Sequence, residues 1–274
     1  MSLYVDAAFI EQWNMEAEQE LQRKQTNLMS GVRVARNVKG KQHNFQVVGA
    51  GDATVNRPTG QPIQPMNVGH RIATAVLKRV EAPEWVDNFD QVRTNVDLRR
   101  EYTTAVVNAI GRKWDEIIVE DALESGTNTN ISNTLNKAGL ITLHKTLTGN
   151  HVPMGFDNRY LLIGESALED LLTDTTIMSR DYIENNATST GVVPNVMGFT
   201  LIYTDNSLLV ESTPGTHRFV YAWYKRSVGV ALAQGMQMYP TYRGDIHLWQ
   251  VLGELFVGAT DILNDGILKA PVAN

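Results

Sequence analysis

From Asp6 to about Asn27 the apolar residues Ala8, Phe9, Trp13, Ala17 and Leu21 recur every three to four positions, with Glu and Gln between them. That spacing predicts a helix with one apolar face. The face carries too few large side chains to make a core alone. The next stretch, Gly31 to Gly40, alternates apolar and polar residues like an extended strand, so residues 1–40 read as an N-terminal arm. Two strand-like runs follow, His43 to Val48 and Val68 to Val80, around a turn-rich middle from Gly49 to Pro62. Such a middle can neither form helix nor bury itself, and a loop of this length inside a compact domain marks a functional projection or disorder. A long two-stranded loop standing away from the body is expected. An isolated ribbon of two strands is marginal in water, so it needs a surface to lie on, most simply another copy of the chain.

The strongest element spans Asp97 to about Leu123. Leu98, Tyr102, Val106, Ile110, Trp114, Ile117 and Leu123 share one broad face, while Arg99, Arg100, Arg112, Lys113, Glu116 and Glu120 lie largely elsewhere. A helix of about 27 residues would be near 40 Å long. Gly126 and the polar run Thr127 to Asn130 end it. Beyond that the pattern alternates. Residues 133–147 predict a helix, Arg159 to Gly164 a buried strand, and Glu165 to Leu172 a short helix. A polar stretch runs from Thr173 to Thr190. Strands are expected over Gly191 to Asp205 and His217 to Leu232, with the turn Ser212 to Thr216 between them, and a long strand over Ile246 to Ala259. No internal repeat is present.

Composition narrows the classes. The 274 residues suit one large domain or two small ones, and no stretch approaches the roughly 18 apolar residues that would span a bilayer. Cysteine is absent, which removes disulfides, thiol nucleophiles and thiolate zinc sites. The first residues lack a basic segment followed by an apolar run, so synthesis and assembly in a cytoplasm is the expectation. A net charge of −6 argues against nucleic-acid binding as the main activity. Its distribution is informative: Asp6, Glu11, Glu16, Glu18 and Glu20 fall in residues 1–20 with no basic residue, and Arg23, Lys24, Arg33, Arg36, Lys39 and Lys41 fall in 21–51 with no acid. Such a charge dipole reads either as a solvated helix and loop or as an arm that docks on an acidic neighbour.

Motifs for chemistry are missing. There is no nucleophile elbow, phosphate loop, His-Glu-x-x-His helix or EF-hand loop, and Gly49-Ala50-Gly51 lacks the third glycine and the helix of a dinucleotide site. The six histidines form no i, i+3 or i, i+4 pair suited to metal, and the acidic pairs Asp115/Glu116 and Glu120/Asp121 sit on the long helix, where solvation and salt bridging are the default. Trp13, Trp85, Trp114, Trp223 and Trp249 are spread one per element, as packing anchors are. Neither a cofactor, a metal nor a catalytic residue is expected, and the chain does not read as an enzyme.

The order of arm, extended loop, long helix, mixed α/β region and late strand resembles the major capsid proteins of tailed bacteriophages with the Hong Kong 97 fold, a fold shared by encapsulin shells. The resemblance is carried by Arg33 to Phe45, Glu84-Trp85-Val86-Asp87, the block from Thr94 to Asp115, the stretch from Ser179-Arg180-Asp181-Tyr182 to Gly198-Phe199, Trp223 to Gly229, and Trp249 to Gly258. It implies an α+β chain divided into an N-arm (1–40), an extended E-loop (41–82), a peripheral P-domain (83–130 with 240–274) around a spine helix at 97–123, and an axial A-domain (131–239). It further implies self-assembly into hexamers and pentamers of an icosahedral head shell enclosing double-stranded DNA; in such a shell the basic residues Arg33, Arg36, Lys39, Lys41 and Arg57 are expected, as a hypothesis from their charge, to make intersubunit salt bridges. Separate scaffolding, portal and decoration proteins are compatible partners, packaged DNA is touched only weakly and without specificity, and no membrane is involved.

Two departures from relatives matter. Some members join subunits covalently through an E-loop lysine and a P-domain asparagine, yet residues 42–77 contain no lysine, so a shell without cross-links is expected. Others carry a long N-terminal scaffolding segment, for which about 40 residues ahead of the loop leave no room; a separate scaffolding protein or none is expected. An encapsulin-type compartment on the same fold, and a small-molecule hydrolase or transferase of α+β class, are the rival readings.

Overall fold

A computed structural model describes residues 27–53, 55, 59–60, 65–87, 98–155, 158–174 and 195–273. The helix expected over residues 6–27, Arg57 and the polar stretch beyond Asp174 lie outside them. The described residues open on a 3-10 turn, Asn27–Gly31, and continue through β1 (Arg33–Arg36), β2 (Gln42–Val48), β3 (His70–Val76) and β4 (Lys78–Asp87). Helix α1 (Leu98–Ile118) runs on into a π turn, Val119–Leu123, so the helical path ends where the sequence places it. Then come β5 (Thr127–Asn128), α2 (Lys137–Gly149), β6 (Arg159–Ile163), α3 (Glu165–Thr173), β7 (Asn195–Val196), β8 (Phe199–Tyr203), β9 (Glu211–Thr213) and β10 (His217–Tyr224). A 3-10 turn, Lys225–Ser227, leads to β11 (Val228–Arg243), followed by β12 (Leu248–Asp261) and β13 (Ile267–Ala273).

Among the described residues the strands form three sheets. The first runs β1-β11-β12-β4, with β1 parallel to β11 and the rest antiparallel. Across β12 and β4 lies α1, and the approach is close: a Cβ at Gly253 would stand 2.4 Å from the Cδ1 atom of Ile110 and 2.6 Å from Cγ1 of Val106. Only glycine admits the helix at that distance. The second sheet runs β5-β13-β10-β6-β8-β7, with β9 on the edge of β10. Alternation gives it two buried faces. Tyr160, Leu162, Tyr221 and Trp223 join the core shared with α1, while Leu161, Ile163, Val220 and Ala222 pack with Leu140, Leu143 and Leu147 of α2 and with Leu171 of α3. Asn136 caps α2, its side-chain oxygen accepting from the Gly139 N–H at 2.9 Å.

The third sheet is the two-stranded ribbon β2-β3, paired from Gln42 opposite Val76 to Val48 opposite His70.

Several elements differ from the sequence reading. The run Val68 to Val80 is two strands, broken at Leu77, whose N–H donates to the Lys41 carbonyl at 2.9 Å. The run His217 to Leu232 is also two strands in different sheets, because the turn at Lys225–Ser227 is held by non-local bonds: Lys225 N–H to the Asn158 carbonyl at 2.8 Å, and Ile262 N–H to the Ser227 carbonyl at 2.7 Å. The terminal strand β13 pairs along β10, with Leu268, Ala270 and Val272 turned into the cluster under α2 and α3.

Candidate functional site

The ribbon has two unlike faces. Phe45, Ala73 and Ala75 are buried against Ala231 and Ile262, with Val47, Ala35, Val38, Leu77 and Leu263 packed around them. This cluster roots the ribbon on the ends of β11 and β12, and the Arg71 guanidinium adds a hydrogen bond to the Ile262 carbonyl. By register, Gln42, Asn44, Gln46 and Val48 share the opposite face with His70, Ile72, Thr74 and Val76. There Val48, Ile72 and Val76 are 62%, 60% and 57% exposed, and Met66 and Val55 of the connecting loop are exposed as well. Together they leave large apolar side chains in solvent on the ribbon and its connecting loop, where a partner surface would cover them.

A second uncovered surface is the side of the four-stranded sheet away from α1. Trp85, Tyr239 and Arg243 share it by register with Gln250, Leu252, Glu254 and Phe256. The Arg243 guanidinium lies 6.0 Å from the Trp85 ring centre and that of Arg79 5.6 Å from the Phe256 ring centre, while Arg79 bridges to Glu254 at 2.7 Å. Trp85 and Tyr239 remain exposed.

The basic residues expected to make contacts divide between strand and loop. Arg33 and Arg36 are the two ends of β1, and Lys39 and Lys41 follow in the connection to β2; all four are exposed. Arg33 stacks 5.5 Å from the Phe45 ring centre at the root of the ribbon. Among the described residues none of the four forms a salt bridge. The structure also gathers two cations that the sequence reading does not single out. Lys225 and Arg226, in the turn between β10 and β11, line a groove of about 740 Å³ with Val32, Arg33, Val34 and Asn158. The only sequence signal for them is a pair of adjacent cations inside a strand-like run.

The polar groups of the interior are structural. Tyr221 donates to Glu124 at 2.8 Å, and Lys269 holds the same carboxylate at 2.7 Å and the Glu124 carbonyl at 2.8 Å, tying the end of the π turn to β10 and β13. Burial, then the bond to Glu124, pushes the Tyr221 hydroxyl well above the ordinary tyrosine range. Arg159 is buried with its guanidinium on the Val152 carbonyl at 2.6 Å, the Pro153 carbonyl at 3.2 Å and the Thr148 hydroxyl at 3.2 Å; burial lowers its pKa. These are the groups at the C-terminal end of α2, where a cation is favoured. Burial, then Arg159, lowers the pKa of His144. Among the described residues no group of three His, Asp or Glu side chains is placed to hold a metal ion, and no helix is long and apolar enough to cross a membrane.

Comparison with known proteins agrees with this layout. A family model described as phage capsid protein matches residues 5–270. No curated protein matches the chain. Among solved structures, the capsid of Cyanophage P-SCSP1u superposes with a TM-score of 0.73 at 18% identity, covering 94% of this chain and 91% of that one. A chain of Mycobacterium phage Che8 gives 0.75 at 15% identity, covering 94% and 95%. The capsid of Cyanophage Pam1 gives 0.71 at 12% identity, covering 95% of each. At these identities the superpositions establish the fold, and the family match, which spans nearly all 274 residues, establishes the family. The chain belongs to the phage capsid protein family, as a major capsid protein of the Hong Kong 97 fold whose place is in the virion shell and whose role is structural, not enzymatic.

Proposed function

We propose that the chain closes an icosahedral head shell by assembling hexamers and pentamers from one set of interfaces, with the ribbon of each copy lying across its neighbour. The observation that carries this is the ribbon's exposed face, with Val48, Ile72 and Val76 in solvent, opposite the face that Phe45, Ala73 and Ala75 root in their own subunit. Burying such side chains against a neighbour contributes about 1.5–3 kcal/mol each when complete, enough to hold a ribbon that is marginal by itself. The surface bearing Trp85 and Tyr239 is of matching character.

In this reading residues 1–40 are the N-arm, 41–82 the E-loop, 83–130 with 240–274 the peripheral domain and 131–239 the axial domain. The separate sheets, one under α1 and one under α2 and α3, support two such units, but they cross these bounds: β11 (Val228–Arg243) pairs in the sheet under α1 and β13 (Ile267–Ala273) in the other. Arg33, Arg36, Lys39, Lys41 and Arg57 make intersubunit salt bridges. Scaffolding, portal and decoration proteins are separate chains where they are used, and the enclosed double-stranded DNA touches the wall weakly and without sequence preference, in keeping with the net charge of −6.

Charge reversal tests the contacts. Arg33→Glu and Arg57→Glu are expected to lower the yield or salt resistance of particles while leaving the unfolding of the dissociated subunit unchanged. Particles of ordinary yield and stability from both variants would remove these residues from the interface.

A further inference from the structure

We infer that the groove bounded by Arg33, Asn158, Lys225 and Arg226 is a receptor for the acidic N-terminal segment, residues 6–20, of a neighbouring copy. The inference rests on the shell reading and gives that reading a specific contact. The groove lies on the seam between the two large sheets and is built from rigid parts. Arg33 is fixed by the pairing of β1 with β11, opposite Gly229. Lys225 and Arg226 are fixed by the 3-10 turn whose first N–H is bonded to the Asn158 carbonyl.

Among the described residues, three cations and no carboxylate line this groove of about 740 Å³. Arg33 is over Phe45 and Lys225 is 5.9 Å from the Tyr160 ring centre, so both charged ends are held by aromatic faces and not by acids. Among the described residues none of the three forms a salt bridge. Like charges gathered with no counterion among the described residues repel one another, and an anionic occupant relieves that repulsion.

The chain supplies a complementary occupant. Residues 6–20 hold Asp6, Glu11, Glu16, Glu18 and Glu20 and no Lys or Arg. In a closed shell every copy presents this segment at a fixed and high local concentration to the copies around it, so several weak, exposed pairs add up to a persistent contact. Nucleic acid carries the same charge, but a duplex calls for a track of cations along its backbone, and these three are gathered in one groove. The acidic segment is therefore the better match in extent as well as in charge.

Zero-length carbodiimide coupling of assembled particles tests this directly. Particles assembled from equal amounts of ¹⁴N- and ¹⁵N-labelled subunits should give peptides joining Lys225 to Glu11, Glu16, Glu18 or Glu20, about half of them of mixed isotope. Lys225→Glu with Arg226→Glu should abolish salt-resistant assembly, and adding Glu16→Lys, Glu18→Lys and Glu20→Lys should restore it. Good particles without such coupling, coupling only within one isotope, or a Lys225 shielded from acylation only in DNA-filled particles would each overturn the docking and leave the shell intact. Failure to form particles from the natural sequence would overturn both.

Discussion

Gly258 sits where the ribbon leaves the body, and replacing it with alanine tests whether that root controls assembly. A Cβ there would lie 2.2 Å from the Val76 carbonyl oxygen, 2.7 Å from its carbon and 3.2 Å from the Leu77 nitrogen. Carbon and oxygen normally keep about 3.3 Å even in close contacts, so the overlap is about 1 Å. The opposing atoms are backbone, with no flexible side-chain end to swing aside. Either β12 or the join between β3 and β4 must shift. Overpacking of this kind costs about 1–3 kcal/mol. The shift also strains the Leu77 N–H bond to the Lys41 carbonyl, a bond whose net contribution is about 1 kcal/mol. It further loosens Phe45, which is 3% exposed against Ala231 and Ile262. The sum is about 2–4 kcal/mol concentrated at the root, or roughly 2–4 °C of midpoint per kcal/mol in a chain of this size. Thermal unfolding of the dissociated subunit and particle counts by negative-stain microscopy would read it, with Gly235→Ala as the control because no atom lies within 4 Å of a Cβ there. A Gly258→Ala protein that unfolds and assembles like the control would refute the reasoning.

Other outcomes follow from the same structure. Particles boiled in detergent should return a single band at 30.5 kDa, because no lysine lies between residues 42 and 77; a ladder of larger bands would contradict this. Trp223→Phe removes the indole bond to the Gly31 carbonyl at 2.7 Å and shrinks a ring stacked 5.8 Å from that of Tyr160, so a loss of about 1–3 kcal/mol in urea unfolding is expected. Tyr221 has a raised pKa in the folded state, so its contribution to stability is complete below the unfolded value near 10 and is lost as pH rises above it; Tyr221→Phe should therefore flatten the decline in stability above about pH 10, and an unchanged alkaline profile would argue against the burial of the hydroxyl and its bond to Glu124.

What the sequence discloses follows the range of the interactions. The long helix is legible because Val106, Ile110, Ile117, Ile118 and Leu123 repeat on one face and are buried on that face. Arg159–Ile163 is legible as a short apolar run, buried throughout. The breaks at Leu77 and Lys225–Ser227 are not, since apolar alternation continues across both and the bonds that enforce them come from Lys41, Asn158 and Ile262. The outer half of β11, up to Arg243, is also hidden: its residues are largely exposed, and its pairing depends on β12. At the candidate site, the basic character of Arg33 to Lys41 is plain in the sequence. Its union with Lys225 and Arg226 is not, because nearly 200 residues separate them and only the parallel pairing of β1 with β11 brings them to one groove.

The most direct measurement of the central claim is electron cryomicroscopy of the purified full-length protein after assembly. Closed icosahedral particles in which the 42–76 ribbon of each subunit lies against the next, with Val48, Ile72 and Val76 covered, are the predicted result. A protein that stays monomeric at high concentration and under assembly conditions, with those side chains still in solvent, would contradict it.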